Sequence, residues 1–174
     1  MDRIAAEEQE LLAYARERFA AIPAFEHYRI WPAAHSRVGL LTFNLAGVPY
    51  ELLAAALSAE HGIGIRHGCF CAHPLMMRLL QVDGPEAHRL MDATRDGLHP
   101  RLPGAARISF GLGTSRADVD VVAAALQQIA SEGPRWTYRR SEETHEYEPD
   151  PDPRPLPALP MRLGEHHHTS GESA

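Results

Sequence analysis

"AARISFGLGTSRADVDVVAAALQQIASEG", residues 105–133, decides the fold. Its first nine residues (105–113) bring an apolar, β-branched run to a pair of glycines and read as a core strand. The rest reads as a helix. Ser115 followed three residues later by Asp118 resembles a capping box, and Val119, Val122, Ala123, Leu126 and Ile129 recur at helical spacing as one apolar face. A strand that turns directly into a one-sided helix needs a sheet with helices packed on it.

Outward from that unit the same alternation continues. Residues 2–20 read as an amphipathic helix with Ile4, Leu11, Leu12, Ala15 and Phe19 on one stripe, ended by Pro23. "FEHYRI" (25–30) reads as a short edge strand and "RVGLLTFNL" (37–45) as a central one. "AGVPYELLAAALSAEHG" reads as a helix opened by Pro49 and stopped by a left-handed Gly62, with Leu52, Leu53, Ala56 and Leu57 as its buried stripe. A short strand at 63–68, a short helix from Pro74 and a further helix within "EAHRLMDATRDGLHPRLPG" lead back to residue 105. The fold class expected is α+β: a small antiparallel or mixed sheet of a few strands, with helices on one face. Residues 1–135 form the domain. Residues 136–174 are expected to be an extended, largely disordered tail, because six prolines fall between residues 149 and 160.

The 174 residues fit one domain and a tail, and 44% are hydrophobic, enough to build a core. No apolar run is long enough to span a bilayer, and the acidic N-terminus is unlike a secretory signal, so no membrane association and a cytoplasmic location are expected. Residues 1–140 hold 15 Arg and 15 Asp or Glu, whereas 141–174 hold 2 Arg and 8 Asp or Glu, the whole of the net −6. A neutral body gives nucleic-acid binding no electrostatic support. All 17 cationic residues are Arg. A mechanism that needs a lysine amine is therefore closed to these residues alone.

The chemistry concentrates in "GIGIRHGCFCAHPLM", residues 62–76, which holds both cysteines, with a histidine two residues outside each: His67, Cys69, Cys71, His73. In an extended chain His67 and His73 would stand about 20 Å apart, too far for tetrahedral zinc without a bend, and no second ligand pair follows. No metal site is expected. The one-residue spacing differs from the two-residue spacing of oxidoreductase pairs, and a bridge between Cys69 and Cys71 would be strained. A reactive thiol fits better. Cys71 lies between a glycine-containing turn and a proline-started helix, with Arg66 and imidazoles nearby to favour a thiolate. Two small buried hydrophobes remain the alternative.

This stretch resembles the active-cysteine loop in the small domain of class V aminotransferases, specifically the cysteine desulfurase-like group. Arg66, Gly68, Cys71, Ala72, Pro74 and Leu75 fall on the family's pattern, and Cys69 and Phe70 stand where paired histidines are usual. "GLLTFNLAGVPYELLAAAL" resembles the family's strand-then-helix opening of that domain, and "ARISFGLGTSRADVDVVAAAL" its arginine strand and last helix. The resemblance covers roughly residues 3–130. It implies Cys71 as the catalytic residue, Arg107 as the substrate-carboxylate arginine, with Arg66 and His67 beside it. The cofactor it implies is pyridoxal phosphate, held by a lysine in a large domain, so no cofactor-binding residue is expected in this chain.

The resemblance further implies an amino-acid substrate, a large-domain chain carrying the lysine as partner, and a homodimer. The chain is accordingly expected to be the C-terminal part of such an enzyme, a fragment or subunit not catalytic alone. Two rival readings stay open: a non-catalytic remnant or partner-binding module, and a zinc-binding sulfur carrier.

Overall fold

The computed structural model describes residues 2–31, 35 and 37–155. Five helices and two sheets form among them, in the order α1 (Asp2–Ala20), β1 (Phe25–Tyr28), β2 (Leu40–Leu45), α2 (Tyr50–His61), β3 (Arg66–Gly68), α3 (His73–Leu79), α4 (Gly84–Arg95), β4 (Ala105–Ser109), α5 (Arg116–Glu132), β5 (Tyr138–Arg140) and β6 (Tyr147–Pro149). The larger sheet runs β1-β2-β4-β3 and every pairing in it is antiparallel. The class is α+β, as the alternation of strand and helix signals implies.

One face of this sheet carries the core. Leu41, Phe43 and Leu45 alternate along β2 and are all but fully buried, and Ala106 and Ile108 continue the same face on β4. Against them pack Leu12, Ala15 and Phe19 of α1, Leu53, Ala56 and Leu57 of α2, and Val119, Leu126 and Ile129 of α5. Phe25 stacks on Phe43 at 5.0 Å between ring centres and meets Phe19 edge-on at 5.7 Å, which ties the edge strand to α1. Helix α5 begins with the capping box its sequence implies: Ser115 Oγ accepts from the Asp118 N–H, and the Asp118 carboxylate accepts from the Ser115 N–H. Gly62 ends α2 at φ 67, as expected of a left-handed stop.

The differences from expectation are local. Ile4 is 40% exposed, because the first turn of α1 runs past the end of the core. The ladder of β3 holds only Arg66–Gly68, although Ile63 and Ile65 still rest on the core. Helix α4 buries no residue and lies outside the sheet–helix body.

A hairpin, β5–β6, forms inside the stretch read from sequence as tail. One carboxylate holds its start: Glu60, in the last turn of α2, accepts from the N–H groups of Arg135 and Trp136 and from the Tyr138 hydroxyl at 3.0–3.2 Å. The prolines that mark the segment from sequence begin at Pro149, on the last strand residue. Residues 156–174, the remainder of the expected tail, lie outside the described residues.

Candidate active site

The second face of the sheet carries no helix-packed core, and strand register lines up its polar residues. Tyr28 pairs with Thr42, Thr42 with Arg107, and Arg107 with Arg66. Residues opposite one another point to the same face, so these four form one row across all four strands. Arg107 and Arg66 are thereby brought together. His67 is not, because successive residues of a strand face opposite ways. It pairs with Ala106 on the core side, its ring lies 5.8 Å from that of Tyr50, and its Nε2 is 3.4 Å from a Glu146 carboxylate oxygen.

Arg107 lies in the floor of a cavity of about 410 Å3 walled by Tyr28, Trp31, Thr42, Phe70 and Leu75. The Phe70 ring covers its guanidinium, with Cζ 4.9 Å from the ring centre. Its Nε is buried and has no hydrogen-bond partner. A guanidinium that lines a cavity and keeps one buried donor without a partner suits an anion, and its planar fork suits a carboxylate. Tyr28 borders the same row. Its hydroxyl, bonded to Glu26 and Asn44, is pushed up to about 12, by burial first and then by Glu26, and stays protonated at neutral pH.

The two cysteines sit on a β-turn. The Ala72 N–H donates to the Cys69 carbonyl at 2.8 Å, and the two central residues, Phe70 and Cys71, have φ 54 and φ 57. Both are therefore left-handed without being glycine, at a cost of roughly 1–2 kcal/mol each. This turn puts Cys71 out into solvent and leaves Cys69 half-buried, its Sγ donating to the Pro103 carbonyl at 3.2 Å. Burial, and then the charge of Cys71, push the Cys69 thiol up.

Cys71 opens on a second cavity, of about 320 Å3, whose walls include Tyr50, His67, His73, Arg101 and Glu146. Phe70 borders both cavities and stands between the arginine and the thiol. On the wall of the second, Arg101 grips the Glu51 carboxylate through two nitrogens at 2.9 and 2.8 Å, with Glu51 only 3% exposed. Burial pushes the Glu51 carboxyl up, but the hydrogen bonds and charge of Arg101, with a backbone N–H and the Tyr50 hydroxyl, together more than offset it, and the net shift is down. Neither this pair nor Glu146 is legible in sequence, since 50 residues separate Glu51 from Arg101 and Glu146 comes from the unexpected hairpin. Among the described residues, no three His, Cys, Asp or Glu side chains gather as a metal site, and no helix is long and apolar enough to cross a membrane.

Comparison with known proteins matches the same body. The aminotransferase class-V family model fits residues 1–122. A "Probable cysteine desulfurase" of Staphylococcus aureus (strain COL) is 34% identical over 127 residues, which is 73% of this chain and 25% of that protein. Its counterpart of the same description in Staphylococcus epidermidis (strain ATCC 12228) is 32% identical over 121 residues, 70% of this chain and 24% of the relative. Among solved structures, the cysteine desulfurase CsdA of Escherichia coli superimposes with a TM-score of 0.50 at 26% identity, over 72% of this chain and 25% of that one. The chain thus spans about a quarter of the length of the curated relatives it matches. On that family match and on the relatives that agree with it, the chain belongs to the aminotransferase class-V family.

Proposed function

We propose that this chain is the C-terminal, small-domain part of a cysteine desulfurase-like enzyme, supplying the substrate-carboxylate arginine and the sulfur-accepting cysteine. The observation that carries the reading is the Arg107 guanidinium, which lines a cavity beneath Phe70 and keeps its buried Nε without a partner. The substrate α-carboxylate takes up that donor and its neighbour on the guanidinium. Arg66, in register beside Arg107, adds positive potential on the same face. Cys71, exposed on a turn held at left-handed angles, is the thiol that takes the substrate sulfur and keeps it as a persulfide. His67, on the opposite face, has no part in carboxylate binding and belongs to the thiol's cavity instead.

Pyridoxal phosphate, the family cofactor, finds no Schiff-base anchor among these residues, because the 174 residues include no lysine. Its lysine comes from outside them. The rest of the enzyme is the natural cover for the row of exposed apolar side chains around the Arg107 cavity: Ile30 at 53%, Trp31 at 61%, Val38 at 64% and Leu75 at 37% exposure.

The test is a chimaera in which residues 1–135, the domain, replace the corresponding quarter of the Staphylococcus aureus relative. Release of sulfur from cysteine that disappears with Cys71→Ser, and with Arg107→Ala, is the expected result. Activity that survives both substitutions, or a correctly folded chimaera that binds pyridoxal phosphate and releases none, refutes the reading and leaves a partner-binding module.

A further inference from the structure

Cys69 is the residue that the proposed function leaves idle. It stands where the family pattern usually has a histidine, and its position on the turn is informative. Cys69 and Cys71 are the first and third residues of a β-turn closed by a 2.8 Å hydrogen bond. Two Cα–Cα steps of about 3.8 Å folded through a turn leave their Cα atoms roughly 5.5 Å apart. That lies inside the window of about 4.4–6.8 Å that a disulfide requires. The two thiols also differ in the way that an attacking and a resolving cysteine must. Cys71 is exposed, whereas Cys69 is half-buried and hydrogen-bonded to the Pro103 carbonyl. Burial, and then the charge of Cys71, push the Cys69 thiol up, and the exposed Cys71 is the sulfur that a reagent in solution meets first.

We propose that Cys69 resolves a persulfide on Cys71, expelling hydrosulfide and closing a Cys69–Cys71 disulfide. The Cys69 sulfur, on losing its proton to solvent, attacks Cys71 Sγ. The Sγ–Sγ bond forms as the bond from Cys71 Sγ to the terminal sulfur breaks, and the electron pair leaves with that sulfur as hydrosulfide. The terminal sulfur is reduced, and the cysteine pair ends as a disulfide. A dithiol reductant then reopens the bridge. The small ring such a bridge closes is strained, and strain makes a disulfide easier to reduce. The proposal rests on the reading of Cys71 as the residue that accepts sulfur.

The experiment uses the reduced full chain treated with inorganic polysulfide, freed of excess reagent at low protein concentration, and followed by intact mass, peptide mapping and sulfide release. Wild type should gain one sulfur at Cys71, lose it as sulfide, and end two hydrogens lighter than the reduced chain. Cys69→Ser keeps a donor for the Pro103 carbonyl and cannot resolve. Its Cys71 persulfide should outlive that of wild type by about tenfold or more, the advantage of an attacking group held in place. Equal persulfide lifetimes in the two chains, or sulfide loss without loss of two hydrogens, overturn the role of Cys69 and leave Cys71 as the acceptor. Failure of Cys71 to take up sulfur in either chain overturns the reading of Cys71, and this proposal with it.

Discussion

Arg101→Ala is the substitution that probes the thiol's cavity most directly. Glu51 is 3% exposed, and its carboxylate accepts two hydrogen bonds from Arg101. Removing the arginine strips a buried charge of its main partner, and loss of one member of a buried pair typically costs about 3–5 kcal/mol. The Arg101 side chain is itself 46% exposed, so water can enter the space it vacates. That reduces the expected loss to about 2 kcal/mol, or roughly 4–8 °C in Tm for a domain of this size. The pH dependence follows from the same pair. In wild type the Glu51 carboxyl is held down, so its contribution is present above its unfolded value and is lost as pH falls through the folded one. Without Arg101, burial is opposed only by the Glu51 backbone N–H and the Tyr50 hydroxyl, so the folded value is higher than in wild type and the difference between the two chains shrinks as Glu51 takes up a proton. Urea unfolding of wild type and Arg101→Ala at pH 7 and at about pH 4.5 should therefore show a gap that narrows on acidification. Glu51→Gln should cost less than Arg101→Ala, because the arginine it frees can rehydrate. A gap below about 0.5 kcal/mol at pH 7, or one that does not change with pH, would refute the argument.

Three further outcomes follow from single contacts. A Cβ on Gly104 would lie 2.9 Å from the Gly68 backbone and 2.8 Å from Tyr50 Cζ, so Gly104→Ala should cost about 1–3 kcal/mol by urea unfolding. Gly39→Ala, which meets only the flexible Glu8 side chain, should cost less. Ser115→Ala removes the side-chain acceptor of the α5 capping box and should lower stability by about 1 kcal/mol, with Ser115→Asp restoring most of it. His27 is held down to about 4, by burial first and then by Arg16, Arg29 and Arg37. A histidine kept neutral in the fold binds protons more readily when unfolded. Stability should fall as pH drops from about 6.5 towards 4, and His27→Phe should flatten that part of the urea-midpoint profile.

What could be read from the sequence was local. The α5 capping box, the Gly62 stop and the central strand within residues 37–45 are each written within a few neighbouring residues, and the structure keeps them. The separation of His67 from Arg107 was within reach, because it follows from counting residues along a strand. The sequence reading instead grouped His67 with Arg66, its neighbour in the chain. The hairpin was beyond reach, since β5 and β6 have three residues each and hold together through Glu60, which is 75 residues before Arg135. The second cavity depends on that hairpin, on the pairing of Glu51 with Arg101, and on the approach of Gly104 to Gly68, all of them long-range contacts with no local signature.

Those long-range contacts converge on one short segment, which explains how an exposed turn keeps two non-glycine residues at left-handed angles. Each residue from 101 to 104 makes one grip, and the four grips hold three different elements. Arg101 holds Glu51, the Leu102 carbonyl accepts from the Tyr50 hydroxyl at 2.8 Å, the Pro103 carbonyl accepts from Cys69 Sγ at 3.2 Å, and the Gly104 carbonyl accepts from Asn44 Nδ2 at 3.1 Å. The segment thereby fastens the N-terminus of α2, the cysteine turn and the central strand β2 to one another. Strained backbone persists where its surroundings over-determine it, and this clamp supplies that constraint directly at Cys69, one residue before the first left-handed position. The stretch 82–104, which adds the surface helix α4 and buries little of itself, thus ends in the residues that hold the thiols in place. Loosening any one grip should be felt first as a change in the reactivity of Cys71, before the sheet and its helices lose their packing.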